Sequence, residues 1–356
     1  MSLLKNFIKL TENPYASVVK DGLVCGDVEG FISTGSYYLN GMLGGSIYSG
    51  IADNKITVLA GETTTGKTYL AMDIIKSFLN KHPNGEVVYF ESEGAITKNM
   101  FVDRGIDINR VGIFPVNTVQ EFRTQIIKML DTFLATPKDE RIPLIFCLDS
   151  LGMLSTTKEM EDTAAGKETQ DMTRSRLIKG IFRTITLKLS VAKCALVVTN
   201  HVYDEQGLFP KKVQSGGQGI SLSASTTVFL SKRKDKEGTD VVGNIITAKL
   251  IKGRLTKENS SVEILLNYTT GIHPYYGLLA LGTKYGIFKK LGNKYELPNG
   301  NKHFESHILK NAASIFTEDL LIQLDECAKK EFMYGKSNAL DEVELIEDAI
   351  DIEEQV

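Results

Sequence analysis

Apolar runs of strand length recur along the chain at 56–60, 87–90, 144–148, 195–199 and 226–230. Between them, 69–79, 119–134 and 172–191 carry apolar residues three and four positions apart, the spacing of one helix face. Short buried runs alternating with amphipathic helices predict an α/β fold, a mostly parallel sheet with helices on both faces. Such sheets bind ligands at the carboxyl ends of their strands, so the polar residues that follow each run are the candidates for chemistry.

Two segments break the pattern. Residues 152–171 follow one strand and residues 203–219 the next; both are long, polar and without a clear period, and both leave the ligand-binding edge. Loops of that length inside a compact domain are usually functional or disordered, and their place at the ligand-binding edge favours function. Past Thr270 the reading changes. Gly271–Pro274 reads as a turn, then come a helix-like stretch, hairpin signals at Gly292 and Asn299-Gly300, and a helix over 316–332. The boundaries expected are an N-terminal segment with a short helix and strand (1–30), the α/β core (31–270), a small α+β domain (271–340) and an acidic tail (341–356).

Composition alters this picture little, and charge more. A hydrophobic content of 42% and a charged content of 24% suit a soluble globular protein of 356 residues. No run is long and apolar enough for a membrane span and no signal-peptide pattern opens the chain, so a cytoplasmic protein is expected. Cys25, Cys147, Cys194 and Cys327 are scattered, which suits free thiols in a reducing compartment and excludes a zinc-site spacing. The net charge is −3, yet residues 341–356 hold eight acids and no Lys or Arg; without them the body is at +5. A basic body with an acidic tail is compatible with nucleic-acid binding.

Gly61-Glu62-Thr63-Thr64-Thr65-Gly66-Lys67-Thr68 fits the phosphate-loop pattern and lies between a predicted strand and a predicted helix, the context it needs. Backbone N–H groups of such a loop surround phosphate oxygens at a helix N-terminus. Lys67 is expected on the β/γ phosphates and Thr68 on magnesium, making ATP and Mg2+ the expected cofactors. Leu144–Asp149 is an apolar strand ending in a carboxylate, where a second magnesium-positioning acid belongs. The strand before Glu91-Ser92-Glu93 ends in two carboxylates. Glu93, expected past the strand end, is the candidate for orienting and deprotonating the attacking water. Asn200-His201 closes the next strand, just before a long polar segment, where a γ-phosphate sensor could pass on the loss of that group.

GETTTGKT, YFESEG, LIFCLDSLG, a polar segment, VVTNH and the Gly-rich QSGGQG occur in the order that resembles the RecA-type recombinases, most of all the UvsX-type strand-exchange proteins of T-even phages. The resemblance runs from about Phe31 to Asn301. It implies a RecA-like P-loop ATPase core and an ATP-dependent strand-exchange activity in recombination, recombination-dependent replication and repair. In its terms Lys67, Thr68, Asp149, Glu93 and His201 keep the roles given above, and Lys252 and Arg254 become the basic pair that reaches a neighbouring protomer's nucleotide. Where many relatives stack an aromatic ring on adenine this chain has Met100, so either Met100 or Phe101 meets the purine. The two polar segments match DNA-binding loops, with Met153, Lys158, Met160 and Lys167 in the first and Phe209, Lys211, Lys212, Gly216 and Gly217 in the second. The implied partners are single-stranded DNA, a homologous duplex, further copies in a head-to-tail filament, a recombination mediator, a single-strand-binding protein and a helicase. A hexameric helicase on the same core, or a non-catalytic scaffold using ATP as an assembly switch, are the rival readings.

Overall fold

A computed structural model describes residues 3–167, 173–204 and 212–335. Phe209, Lys211 and the acidic tail lie outside the described residues. The chain opens with α1 (Leu3–Leu10), which buries none of its residues, and reaches a two-stranded ribbon of β1 (Phe31–Ile32) and β2 (Ile51–Ala52) around α2 (Tyr37–Gly44). The core then alternates β3 (Ile56–Gly61), α3 (Lys67–Lys81), β4 (Glu86–Glu91), α4 (Lys98–Val102), β5 (Val111–Pro115), α5 (Val119–Ala135), β6 (Leu144–Asp149), α6 (Thr157–Ala164), α7 (Arg174–Ala192) and β7 (Ala195–Asp204). After β8 (Lys212–Gln214) and α8 (Gln218–Ser223) come β9 (Thr226–Glu237), β10 (Asp240–Gly253), β11 (Ser261–Asn267) and β12 (Gly271–Ile272).

The main sheet has the order β12-β11-β10-β9-β3-β7-β6-β4-β5. From β9 to β5 all neighbours are parallel, as the alternation of strands and helices predicts. From β9 to β12 they are antiparallel. The period of two shows in the packing of β6. Ile145 and Cys147 join the apolar cluster of α3 and α2, while Phe146 and Leu148 join the cluster of α5 and α7 on the opposite face. All four are fully buried, so β6 ends rigidly at Asp149.

Residues beyond the sheet form α9 (Leu278–Lys284), the antiparallel β13 (Lys289–Leu291), β14 (Lys294–Glu296) and β15 (Lys302–Phe304), then α10 (Glu305–Lys310), α11 (Ala312–Ile315) and α12 (Glu318–Phe332). The turn and hairpin signals at Gly271, Gly292 and Gly300 all mark positions with φ between 58° and 82°. Leu278, Phe288, Leu324 and Phe332 share one apolar cluster with Leu39 and Met42 of α2. Asp325 of α12 ties the two regions further, accepting hydrogen bonds from Ser46 Oγ at 2.6 Å and the Ile47 N–H at 2.8 Å. No helix among the described residues is long and apolar enough to cross a membrane.

The structure corrects the expected irregularity of residues 152–171. Thr156 and Glu159 form a capping box and start α6. The signal, a Thr followed three residues later by Glu, stands in the sequence. The long β10 and the alternating β11 (Val262, Ile264 and Leu266 inward) extend the sheet beyond the runs identified above.

Candidate functional site

β3 ends at Gly61 and α3 begins at Lys67, so the five-residue turn of the phosphate loop is held between a buried strand and a helix anchored by Leu70, Met72, Ile74 and Ile75. Gly66 has φ 95° and a Cβ there would lie 2.9 Å from Ile246 Cδ1, so the loop requires glycine twice over. Lys67 is buried and its Nζ donates to the carbonyls of Gly61 at 3.0 Å and Glu62 at 2.8 Å. Burial pulls its pKa down, and the nearby carboxylates of Glu93 and Asp149 oppose that.

Asp149, at the end of β6, is surrounded by hydroxyls. Its Oδ2 accepts from Thr68 Oγ1 at 2.8 Å and Tyr89 at 2.7 Å, and Oδ1 accepts from Thr199. A buried carboxylate beside a threonine hydroxyl at a helix N-terminus is an all-oxygen donor pair, which fits magnesium completed by water and phosphate oxygens. One turn along, the Glu91 carboxylate accepts the N–H groups of Glu93 at 3.0 Å and Ala95 at 3.1 Å. That fixes the turn after β4 and aims Glu93 back at the sheet. Glu93 Oε1 is met by Ser150 Oγ at 2.6 Å and His201 Nε2 at 3.0 Å. Burial alone would raise the Glu93 pKa; hydrogen bonds from Ser150 and His201 and the charges of His201 and Lys67 outweigh it, leaving the carboxyl below its ordinary value.

These side chains line one cleft of about 390 Å³, within the range of small-ligand sites. Lys67, Thr68, Glu93, Asp149 and His201, spread over 135 residues of sequence, all face it. Its lining also includes the apolar and aromatic side chains of Tyr69, Ile96, Met100, Leu266 and Tyr268. Met100 is therefore placed on the cleft as expected. Phe101 is not: it is 4% exposed and packs edge-on against Tyr89 at 5.8 Å, so the alternative of a Phe101–purine contact is corrected. A residue following Met100 on a short helix points a quarter-turn away. Tyr69 and Tyr268 are the aromatic rings available, and sequence reasoning missed both. Arg104 covers one face of Tyr69 at 3.9 Å, while Tyr268 is 55% exposed.

Lys252 and Arg254 sit elsewhere. Antiparallel pairing of β10 puts Lys252 opposite Thr227 and Gly253 opposite Thr226, beside the amino-terminal half of β3. Lys252 Nζ donates to the carbonyls of Ser221 and Leu222 at 2.7 and 3.0 Å, near the end of α8, and neither residue lines the cleft of its own chain.

The described residues of the two polar segments are not part of the cleft's lining. Met153 and Met160 are 53% and 46% exposed, Lys158 is exposed on α6, and Lys167 lies 3.6 Å from Asp162. Lys212 begins β8, which pairs with the end of β7, and makes an ion pair with Glu62 of the phosphate loop. Gly216 and Gly217 have φ of 84° and 73°, and a Cβ on either would come within 2.9 Å of Ile178 or Ser175 on α7. Close approach to that helix is thus a sufficient reason for both glycines.

A phosphate loop, an Asp–Thr oxygen pair suited to magnesium and a partly exposed glutamate, all at the carboxyl edge of this sheet, define the class of P-loop nucleotide-binding proteins. The match to known sequences sharpens that. Residues 15–273 match the RecA N-terminal domain, and the chain belongs to that family. It is 31% identical over 255 residues to a "Recombination and repair protein" of Enterobacteria phage T4, covering 72% of this chain and 64% of that protein's length. It is 25% identical over 271 residues to "Protein RecA" of Chloroherpeton thalassium, covering 75% of this chain and 72% of that protein. A third relative, "Protein RecA" of Agrobacterium fabrum, is 24% identical over 292 residues.

Proposed function

We propose that this protein is a DNA-dependent ATPase that assembles head-to-tail on single-stranded DNA and promotes strand exchange with a homologous duplex. The observation that carries the reading is the contact between Glu93 and His201. The residue suited to activating water is held by a residue near the end of a strand that pairs with β8. Hydrolysis and DNA grip would then share one mechanical element.

Lys67 and the loop N–H groups would hold the phosphates, and Thr68 with Asp149 would hold magnesium, which supplies charge neutralisation at the β/γ oxygens when bound. Glu93, kept ionised by Ser150 and His201, would orient the attacking water and take its proton. His201 would register the γ-phosphate, and its loss would free the imidazole and the hairpin beyond it. Lys252 and Arg254 stand at the sheet edge opposite the cleft, so a nucleotide they touch must belong to a neighbouring copy. Contacts of that head-to-tail kind generate filaments when the rotation does not close. The exposed Leu3, Leu4 and Phe7 of α1 suit packing on the adjacent core. Lys158, Lys167 and Lys212, with Met153 and Met160, would grip the strand through phosphate charge and apolar contact, without reading sequence.

Negative-stain imaging with single-stranded DNA and a non-hydrolysable ATP analogue, beside a strand-exchange assay, tests this. Helical filaments with exchange are expected. Closed rings with directional unwinding would instead establish a helicase motor, and assembly without turnover a scaffold.

A further inference from the structure

We propose that Arg174 is the positioning residue that locks both DNA-gripping segments to His201. The inference rests on the reading of those segments given above and adds the part that couples them. Arg174 is the first residue of α7 and is half-buried. Its Nε donates to the Leu154 carbonyl at 2.8 Å, and Nη2 donates to Gly152 at 2.8 Å and Leu151 at 3.3 Å. Nη1 reaches Ser215 Oγ in the second segment at 3.5 Å. One planar fork therefore spans the turn after β6 and the residue after β8.

Both of those places touch the sensor directly. At Gly152 a Cβ would stand 2.9 Å from His201 Cδ2 and 3.3 Å from Asn200 Oδ1, so the turn lies against the imidazole with no space between. Ser215 donates its N–H to the His201 carbonyl at 2.9 Å, and Asn200 Nδ2 donates to the Ser215 carbonyl at 2.9 Å. The contacts close a ring: Arg174, Gly152, His201, Ser215 and back to Arg174. A displacement of either segment by a bound strand must move the imidazole that holds Glu93.

Local helix chemistry does not account for this residue. A cation in the first turn of a helix opposes the macrodipole, and no acid shares that turn of α7. The acceptors that justify it are tertiary: three carbonyls and a hydroxyl from two separate segments. A lysine cannot replace the fork, because a point charge on a flexible stem satisfies one direction at a time.

The test uses the full chain and compares wild type with R174K and R174A. The readouts are melting temperature, affinity for single-stranded DNA, KM for ATP, and the ATPase rate without and with saturating DNA. In both variants the DNA-free rate and KM should stay within about twofold of wild type, while the DNA-stimulated rate falls by about tenfold or more. R174K should keep DNA affinity near wild type while losing the stimulation, which separates positioning from simple phosphate attraction. Full stimulation in R174K, or basal and stimulated rates falling together, would overturn the inference alone. If R174A does not fold, R174K carries the test. A wild-type chain that DNA does not stimulate would overturn the underlying reading as well.

Discussion

Replacing Glu93 by Gln removes the water-activating base while keeping the hydrogen bonds made at that position. The amide keeps an oxygen where Oε1 now accepts from Ser150 at 2.6 Å and His201 at 3.0 Å, so the local hydrogen bonds survive. What is lost is the base. A positioned general base contributes about 100- to 10,000-fold, or about 3–5 kcal/mol of barrier. The missing negative charge also leaves Lys67 with one fewer carboxylate to support its ammonium form, a partly solvated effect that changes nucleotide affinity by less than about tenfold. Phosphate release at saturating ATP and DNA should therefore drop by at least about 100-fold, while titration with a fluorescent ATP analogue shows near-native binding. A Glu93→Gln protein that still turns over within about threefold of wild type would refute the assignment and return the role to Glu91 or to another group.

Three further outcomes are expected. Tyr268→Ala should weaken nucleotide binding by about tenfold through lost base stacking with little change in Tm, whereas Phe101→Ala should cost about 3–5 kcal/mol of stability; the reverse pattern in paired melting and binding titrations would put Phe101 on the purine. Burial pushes the Asp73 carboxyl up to about 6, against the pull of Arg104 and Lys76. The folded state thus binds a proton the unfolded chain has released, so stability is highest below the unfolded pKa and declines as pH rises through about 6. Asp73→Asn should remove that decline and raise Tm at pH 8 by about 2–4 °C per kcal/mol recovered; thermal melts at pH 5 and pH 8 that match wild type would contradict it. Finally, Glu93→Gln protein and a Lys252→Ala/Arg254→Ala protein should each be inactive, yet a one-to-one mixture should regain activity at about a quarter of its interfaces. Absence of any recovery in the mixed ATPase assay would argue against a site shared between copies.

Much of the nucleotide end of this protein is written locally. The phosphate loop declares itself because its spacing, its glycines and its flanking strand and helix are all contiguous in the chain. Asp149 and His201 were legible for a related reason: a parallel buried strand reads as an unbroken apolar run, and the polar residue that ends it must stand at the ligand edge. The helix α6 was legible too, through Thr156 and Glu159, but polar composition masked it. Other features depend on partners that sequence order does not reveal. Phe101 and Tyr268 carry the same aromatic chemistry, and only packing decides that one ring fills the core behind Tyr89 while the other lines the cleft. Lys252 and Arg254 are assigned through the family resemblance alone, and only antiparallel pairing places them across the sheet from their own phosphate loop. Arg174 opposes the helix dipole at its own position and makes sense only once three carbonyls and a hydroxyl from distant segments converge on it. Sequence fixes what is periodic or contiguous, because backbone geometry is local; side-chain convergence is set by sheet order and register, which exist only in the folded chain.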